Sequence, residues 1–229
     1  MIVMLAIYLA IEYKNSFAKG FFTSLSLVKY SIGMYFLALS TTKNSYSLVI
    51  SLIFTVISYV VFSFATNSHI TVELILSPLK VTENGMALSH PYDWVKDKLG
   101  HSSIILISLI GVAGSNFLCI RTKFPSNNKA IEGKLVIATT LCCLTFSPHL
   151  GYDYLTLWLP FLLVSGAAYL TTFNKVVFFS IVLWHWNGYK LLTYLISHNV
   201  LQLIGLFSWA VALWLLLALA KNIIDSEID

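Results

Sequence analysis

The chain has 229 residues, of which 58% are hydrophobic and 10% are charged, and its net charge is +4. Soluble globular domains carry about 25% charged residues, so this composition, with a mean hydropathy of +0.81, excludes a soluble domain and predicts an integral membrane protein. The basic residues stand in short stretches between apolar runs, a pattern that concerns membrane topology and not nucleic-acid binding.

Apolar runs predict an all-α fold, a polytopic transmembrane bundle of about eight helices forming one domain over residues 1–229. The predicted helices, in chain order, cover residues 1–11, 17–39, 47–65, 101–120, 135–146, 154–170, 176–195 and 200–220. A crossing of the hydrocarbon core needs about 20 apolar residues. The first and fifth helices are therefore short for a crossing, and the second is interrupted by Lys19 and Lys29.

Charges in the connecting segments orient these helices. The segment 121–134 carries four basic residues against one acidic residue, which predicts a cytoplasmic loop. The long segment 67–100 then forms an outer loop, and its charges nearly balance. The turn 147–153 comes out on the same outer face, and the C-terminus ends inside.

Cysteines and other metal ligands give no cofactor signal. The three cysteines are Cys119, Cys142 and Cys143, all within apolar runs, and no Cys/His spacing typical of a metal site is present. They are interpreted as small buried hydrophobic residues. No cofactor is predicted, and a requirement for a divalent metal is left open.

The turn Ser147-Pro148-His149-Leu150-Gly151-Tyr152-Asp153 is the first candidate site. Ionisable residues at such a junction of apolar runs point to function. Asp153 has two readings, a cap of the following helix or a contact to substrate, and His149 is either structural or a ligand contact. Lys29, alone in an apolar run, either contacts an anion such as a phosphate or extends its ammonium group to water.

Two segments resemble motifs of one enzyme family. The first is Phe17-Ala18-Lys19-Gly20 leading to Leu27-Val28-Lys29-Tyr30-Ser31-Ile32-Gly33, and the second is Ser147-Pro148-His149 followed by Tyr152-Asp153. Both resemble glycosyltransferase family 87, the polyprenol-phosphate-sugar-dependent, mannosyltransferase-like membrane proteins of the GT-C class. The resemblance covers residues 17–220 and is to the C-terminal half of such a protein. Tyr30 stands where the family usually has proline.

The resemblance implies a hexosyltransferase, or its C-terminal part, that moves a hexose such as mannose from a polyprenyl-phosphate donor to a cell-envelope glycan or lipid. It places Lys29, His149, Tyr152 and Asp153 at the substrate. It assigns the catalytic base to an N-terminal region that precedes residue 17 in the family, supplied here by another chain. It also implies a multi-pass protein of the bacterial inner membrane with an extracytoplasmic site. The alternative is a non-catalytic membrane partner subunit or lipid-binding scaffold.

Overall fold

The computed structural model describes residues 2–27, 33–41, 45–66, 98–122, 128–146, 168–183, 195 and 197–226. Over these residues the chain is helical and contains no β-strand, which confirms the predicted all-α class for this part of the protein. The helices are α1 (Ile2–Glu12), α2 (Ser16–Leu27), α3 (Leu37–Thr41), α4 (Ser45–Thr66), α5 (His101–Arg121), α6 (Lys129–Phe146), α7 (Thr172–Leu183) and α8 (His198–Asp225), with a 3-10 turn at Met34–Phe36.

Asparagine side chains cap the starts of two helices. Asn15 Oδ1 accepts hydrogen bonds from the N–H groups of Phe17 and Ala18, at 2.8 and 3.2 Å. Asn128 Oδ1 accepts the N–H of Ala130 at 2.9 Å. Each cap satisfies backbone N–H groups that have no partner inside the helix. The cap at Asn128 starts α6 at Lys129 instead of residue 135, so the second half of the predicted loop 121–134 is helical.

The single helix predicted over residues 17–39 is wrong, because the chain reverses after α2. A Cβ atom built on Gly33 would lie 2.5 Å from the carbonyl oxygen of Ser26 and 3.1 Å from the nitrogen of Leu27. In one continuous helix, residues seven apart are separated by about 10 Å along the axis. We call residues 33–41 the return arm; it packs against α1, α2 and α5. The missing side chain of Gly33 permits this close approach of backbones.

Helix α2 buries its polar side. Its buried residues are Lys19, Gly20, Thr23, Ser24, Ser26 and Leu27. Phe17, by contrast, is 60% exposed, and its ring and that of Phe21 each meet the ring of Phe54 on α4 edge-on. A surface helix of a water-soluble protein shows the opposite pattern. An apolar outer face over a polar inner face is what a helix surrounded by lipid requires.

The core is built around α6. Thirteen of its residues, from Ile131 to Thr145, are buried between α5 on one side and α8 on the other. Both neighbours run antiparallel to α6. On the α5 side Cys119 Sγ lies 3.7 Å from Thr139 Oγ1, and on the α8 side Lys134 Nζ donates to Asn222 Oδ1 at 2.6 Å. Helix α7 packs on α8.

Two helices of the described residues are long and apolar enough to cross a membrane, Tyr46–Thr66 within α4 and Leu203–Asp225 within α8. They correspond to the predicted helices 47–65 and 200–220. Ile105–Arg121 and Thr172–Leu183 are apolar but shorter. Most of the predicted helix 154–170 and the second half of 176–195 lie outside the described residues, as does most of the outer loop 67–100.

Candidate functional site

The four residues predicted to contact substrate, Lys29, His149, Tyr152 and Asp153, lie outside the described residues. The structure does describe the chain on either side of the first segment and the helix that leads into the second. Leu27 and Gly33 flank the segment that contains Lys29, and Phe146, the last residue of α6, precedes the turn 147–153. Hydrogen bonds to neighbouring helices hold the return arm and the end of α6, which adjoin these two segments in sequence.

A chain of hydrogen bonds joins the return arm to the end of α6 through α5. Ser115 Oγ donates to the carbonyl of Tyr35 at 2.5 Å, and the Tyr35 hydroxyl donates to the carbonyl of Ser108 at 3.3 Å. Ser108 Oγ in turn donates to the carbonyl of Phe146 at 3.0 Å. Tyr35 is 1% exposed, so its hydroxyl needs this partner. The return arm and the end of α6 are therefore fixed to one another.

The C-terminal end of α6 is also held from the other side. Trp209 Nε1 of α8 donates to the carbonyl of Thr145 at 2.9 Å. The last carbonyls of a helix have no N–H partner within it, and in an apolar environment leaving them unsatisfied is costly. Side chains of α5 and α8 supply the missing donors at Thr145 and Phe146. The chain thus enters the turn 147–153 from an anchored helix end.

A second polar group of residues lies at the opposite end of α6. Lys19 of α2 is 9% exposed, and the carboxylate of Glu132, in the first turn of α6, is within electrostatic range of its ammonium group. Lys134, one half-turn further on, holds Asn222 near the end of α8. A nearby carboxylate lowers the cost of burying the ammonium group of Lys19. The starts of α2 and α6 therefore attract one another electrostatically, at the end predicted to be cytoplasmic.

In the sequence, Lys19 stands as an interruption of an apolar run and as part of a motif segment, with no partner assigned to it, and the polar residues of α5 were not singled out. Ser108, Ser115 and Asn116 stand at i, i+7 and i+8, which places them on one face of a helix. That spacing was the available signal. It was missed because three polar residues do not change the hydropathy of a run of twenty.

No three His, Cys, Asp or Glu side chains come together as metal ligands within the described ranges. Cys119, Cys142 and Cys143 are buried free thiols, in agreement with their interpretation as small buried hydrophobic residues. Cys119 lies against Thr139. Cys119 thus fills space between α5 and α6.

No family model, curated protein or solved structure matches this chain. The residues themselves, and the way the structure connects them, are therefore the basis for assigning a function.

Proposed function

We propose that this chain is a membrane glycosyltransferase of the GT-C type, or the C-terminal part of one. It transfers a hexose such as mannose from a polyprenyl-phosphate donor to a cell-envelope glycan or lipid. The observation that carries the proposal is the connection Tyr35–Ser108–Phe146, because it ties the arm that follows Lys29 to the helix end that precedes His149 and Asp153. Lys29 and Ser147 are 118 residues apart in sequence, but these two hydrogen bonds join the arm that follows Lys29 to the helix end that precedes Ser147.

The proposed roles follow from the chemistry of the donor. A polyprenyl phosphate sugar has an anionic phosphate and a long apolar tail. Lys29 and His149 bind the phosphate, since cationic donors form the strongest hydrogen bonds to it. Tyr152 and Asp153 line the sugar. A carboxylate base removes the acceptor hydroxyl proton, the acceptor oxygen bonds to the anomeric carbon, and the lipid phosphate leaves.

A membrane setting is supported by the surface of the helices. Only 6% of the most apolar stretch of α4 is buried, and the phenyl rings of α2 point outward while its polar residues are buried. Exposing apolar surface to lipid tails has no free-energy cost, whereas exposing it to water does. A multi-pass protein of the bacterial inner membrane, with the turn 147–153 on the extracytoplasmic side, completes the proposal.

Photocrosslinking tests the assignment of Lys29 and Asp153. Membranes containing the full chain are exposed to a photoreactive polyprenyl-phosphate hexose, and both crosslinking and transfer are measured. We expect Lys29→Ala to lower crosslinking roughly tenfold or more, because a charge-assisted hydrogen bond is lost. Asp153→Asn should lower transfer while the protein stays folded.

Two exposed residues provide matched controls. Lys14→Ala removes a lysine between α1 and α2, and Asp225→Asn changes a carboxylate at the end of α8; both leave the proposed site untouched. We expect wild-type crosslinking and transfer from both. Unchanged crosslinking and transfer in Lys29→Ala and Asp153→Asn, at equal amounts of protein in the membrane, would contradict the assignments.

The uncovered apolar side of α4 favours a second candidate function, that of a non-catalytic membrane subunit or lipid-binding scaffold. Leu52, Val56 and Val60 are each more than two-fifths exposed. A partner chain in the membrane would cover this side. Crosslinking of the donor to the chain without any transfer, in the presence of acceptor, would favour this second function.

A further inference from the structure

The side chain of Asn116, on α5, forms hydrogen bonds with two backbone groups of the return arm. In an α-helix the N–H of Ala38 would donate to the carbonyl of Met34. Here the Ala38 N–H donates to Asn116 Oδ1 at 2.6 Å, and Asn116 Nδ2 donates to the Met34 carbonyl at 2.9 Å. The carboxamide of Asn116 therefore stands across the two backbone groups, and Met34–Phe36 forms a 3-10 turn.

The hydrogen-bonding capacity of Asn116 matches this position. Its Nδ2 donates a second hydrogen bond to the carbonyl of Val112 at 2.7 Å, so both amide hydrogens and the amide oxygen are used. The Met34 carbonyl also accepts the N–H of Leu37. Asn116 thus gives the Ala38 N–H an acceptor and the Met34 carbonyl a further donor. Such hydrogen bonds are favourable in an apolar environment, where backbone polar groups need partners.

We propose that Asn116 is a positioning residue, which holds the return arm in its opened form and so fixes the arm relative to the end of α6. The link is Tyr35, which lies within the 3-10 turn and donates to Ser108. Each 3-10 residue turns 120° instead of 100°, so closing the three residues of this turn into an α-helix rotates the chain by roughly 60°. That rotation would separate the Tyr35 hydroxyl from Ser108.

The functional consequence rests on the proposed function, because the arm and the end of α6 flank the segments assigned to substrate. The positioning of the arm can be tested without substrate. Asn116 binds the arm at Met34 and Ala38, and Tyr35 connects the arm to Ser108.

Hydrogen–deuterium exchange of the full chain in lipid nanodiscs is the direct measurement. We expect Asn116→Ala to exchange faster in peptides covering residues 33–41, by roughly 3- to 20-fold, the range that interhelical hydrogen bonds in membranes give. Asn222→Ala is the matched control. It also removes an interhelical hydrogen bond, the one with Lys134, but at the other end of α6. Exchange in the return arm should stay at the wild-type rate.

Asn116→Asp distinguishes the effect of the hydrogen bonds from the effect of the side chain's volume, because aspartate has almost the same shape as asparagine. A protonated carboxyl group has one O–H donor and an acceptor oxygen, and so replaces the amide between Met34 and Ala38. An ionised carboxylate has lost the donor. Relative to wild type at the same pH, exchange in residues 33–41 should be normal at low pH and should rise at high pH, because the carboxylate still accepts the Ala38 N–H but no longer donates to the Met34 carbonyl.

Wild-type exchange of the arm in Asn116→Ala would overturn the proposal, and so would pH-independent exchange of Asn116→Asp relative to wild type. If Asn116→Ala does not accumulate as a folded protein, the pH profile of Asn116→Asp decides. Donor crosslinking, measured on the same proteins, separates this inference from the proposed function. If Asn116→Ala alters exchange but the wild type does not crosslink to the donor, the positioning role stands and the transferase is rejected. If the wild type crosslinks but Asn116→Ala leaves exchange unaltered, the transferase stands and the positioning role is rejected.

Discussion

At the scale of single residues, the end of α6 depends on two donors from neighbouring helices. Ser108 donates a hydrogen bond to the carbonyl of Phe146, and Trp209 donates one to the carbonyl of Thr145. Neither residue stands out in the sequence, since serine and tryptophan both occur in apolar helices. Their importance comes from where the last turn of α6 lies, because only there does a carbonyl lack a partner within the helix.

Gly111 and Gly114 form a matched pair on α5. A Cβ atom at Gly111 would overlap the Cβ of Phe146, whereas one at Gly114 meets nothing within 4 Å. Because a Cβ cannot move without its backbone, Gly111→Ala must push α5 away from α6. We expect it to lower the free energy of unfolding by about 2 kcal/mol, while Gly114→Ala raises it by up to about 1 kcal/mol through helix propensity.

Thermal unfolding of the full chain in detergent measures both variants. Phe146 directly precedes the turn 147–153 in sequence, so Gly111→Ala should also lower donor crosslinking, which Gly114→Ala should leave unchanged. Equal melting temperatures for the two variants would show that α5 and α6 are not in contact at Gly111.

At the scale of helices, exposure and polarity show what surrounds each one. α6 is buried along almost its whole length, whereas α4 is exposed along most of its length and nevertheless carries no charged residue. In water such a helix would bury its apolar surface against a partner. In α2 the polar residues are the buried ones, which is also the reverse of the pattern of a helix exposed to water.

A lysine in the middle of α4 distinguishes lipid from water. Val56 is 61% exposed and lies near the centre of the helix. On a water-exposed surface, Val56→Lys would be nearly neutral. At the centre of a membrane helix it costs about 2.5–3.5 kcal/mol, so we expect membrane insertion of the chain to fall sharply.

Thr66→Lys is the control, because Thr66 is exposed at the last turn of α4, where a lysine reaches the interface. Insertion is measured as the fraction of chain that resists alkaline extraction from membranes. Equal insertion of Val56→Lys and Thr66→Lys would mean that lipid does not surround α4.

At the scale of the whole molecule, the polar helix ends gather at one end. The start of α6 lies near the end of α8 through Lys134 and Asn222, and near the start of α2 through Glu132 and Lys19. The α4 helix starts there too, since Ser47 Oγ donates to the carbonyl of Ser16 at 3.2 Å. This is the end that the distribution of positive charge predicts to be cytoplasmic.

Cysteine labelling in oriented vesicles tests this arrangement. Lys129→Cys and Asp225→Cys should react with a membrane-impermeant maleimide from the cytoplasmic side, and Ser102→Cys, at the start of α5, from the opposite side. All three positions are exposed, and the native cysteines are at most 5% exposed, so background reaction is low. Labelling of positions 129 and 102 from the same side would contradict the proposed crossing of α5.

The positions of helices were predicted well from sequence where the hydropathy of a single segment determines the helix. The helices over 47–65, 101–120 and 200–220 agree with α4, α5 and α8 within a few residues, except that α8 continues to Asp225. The prediction failed at residues 17–39 and at the start of α6. Hydropathy averaged over a window cannot see a reversal permitted by Gly33 or a cap supplied by Asn128.

The sequence by itself determined that this protein is helical and rich in apolar surface, because composition and hydropathy add up residue by residue along the chain. Only the tertiary structure decided which polar groups meet. Asn116 and Met34 are 82 residues apart, and Ser108 and Phe146 are 38 apart. Such hydrogen bonds depend on how helices pack and not on local propensity, so the anchored return arm and the anchored end of α6 became visible only in three dimensions.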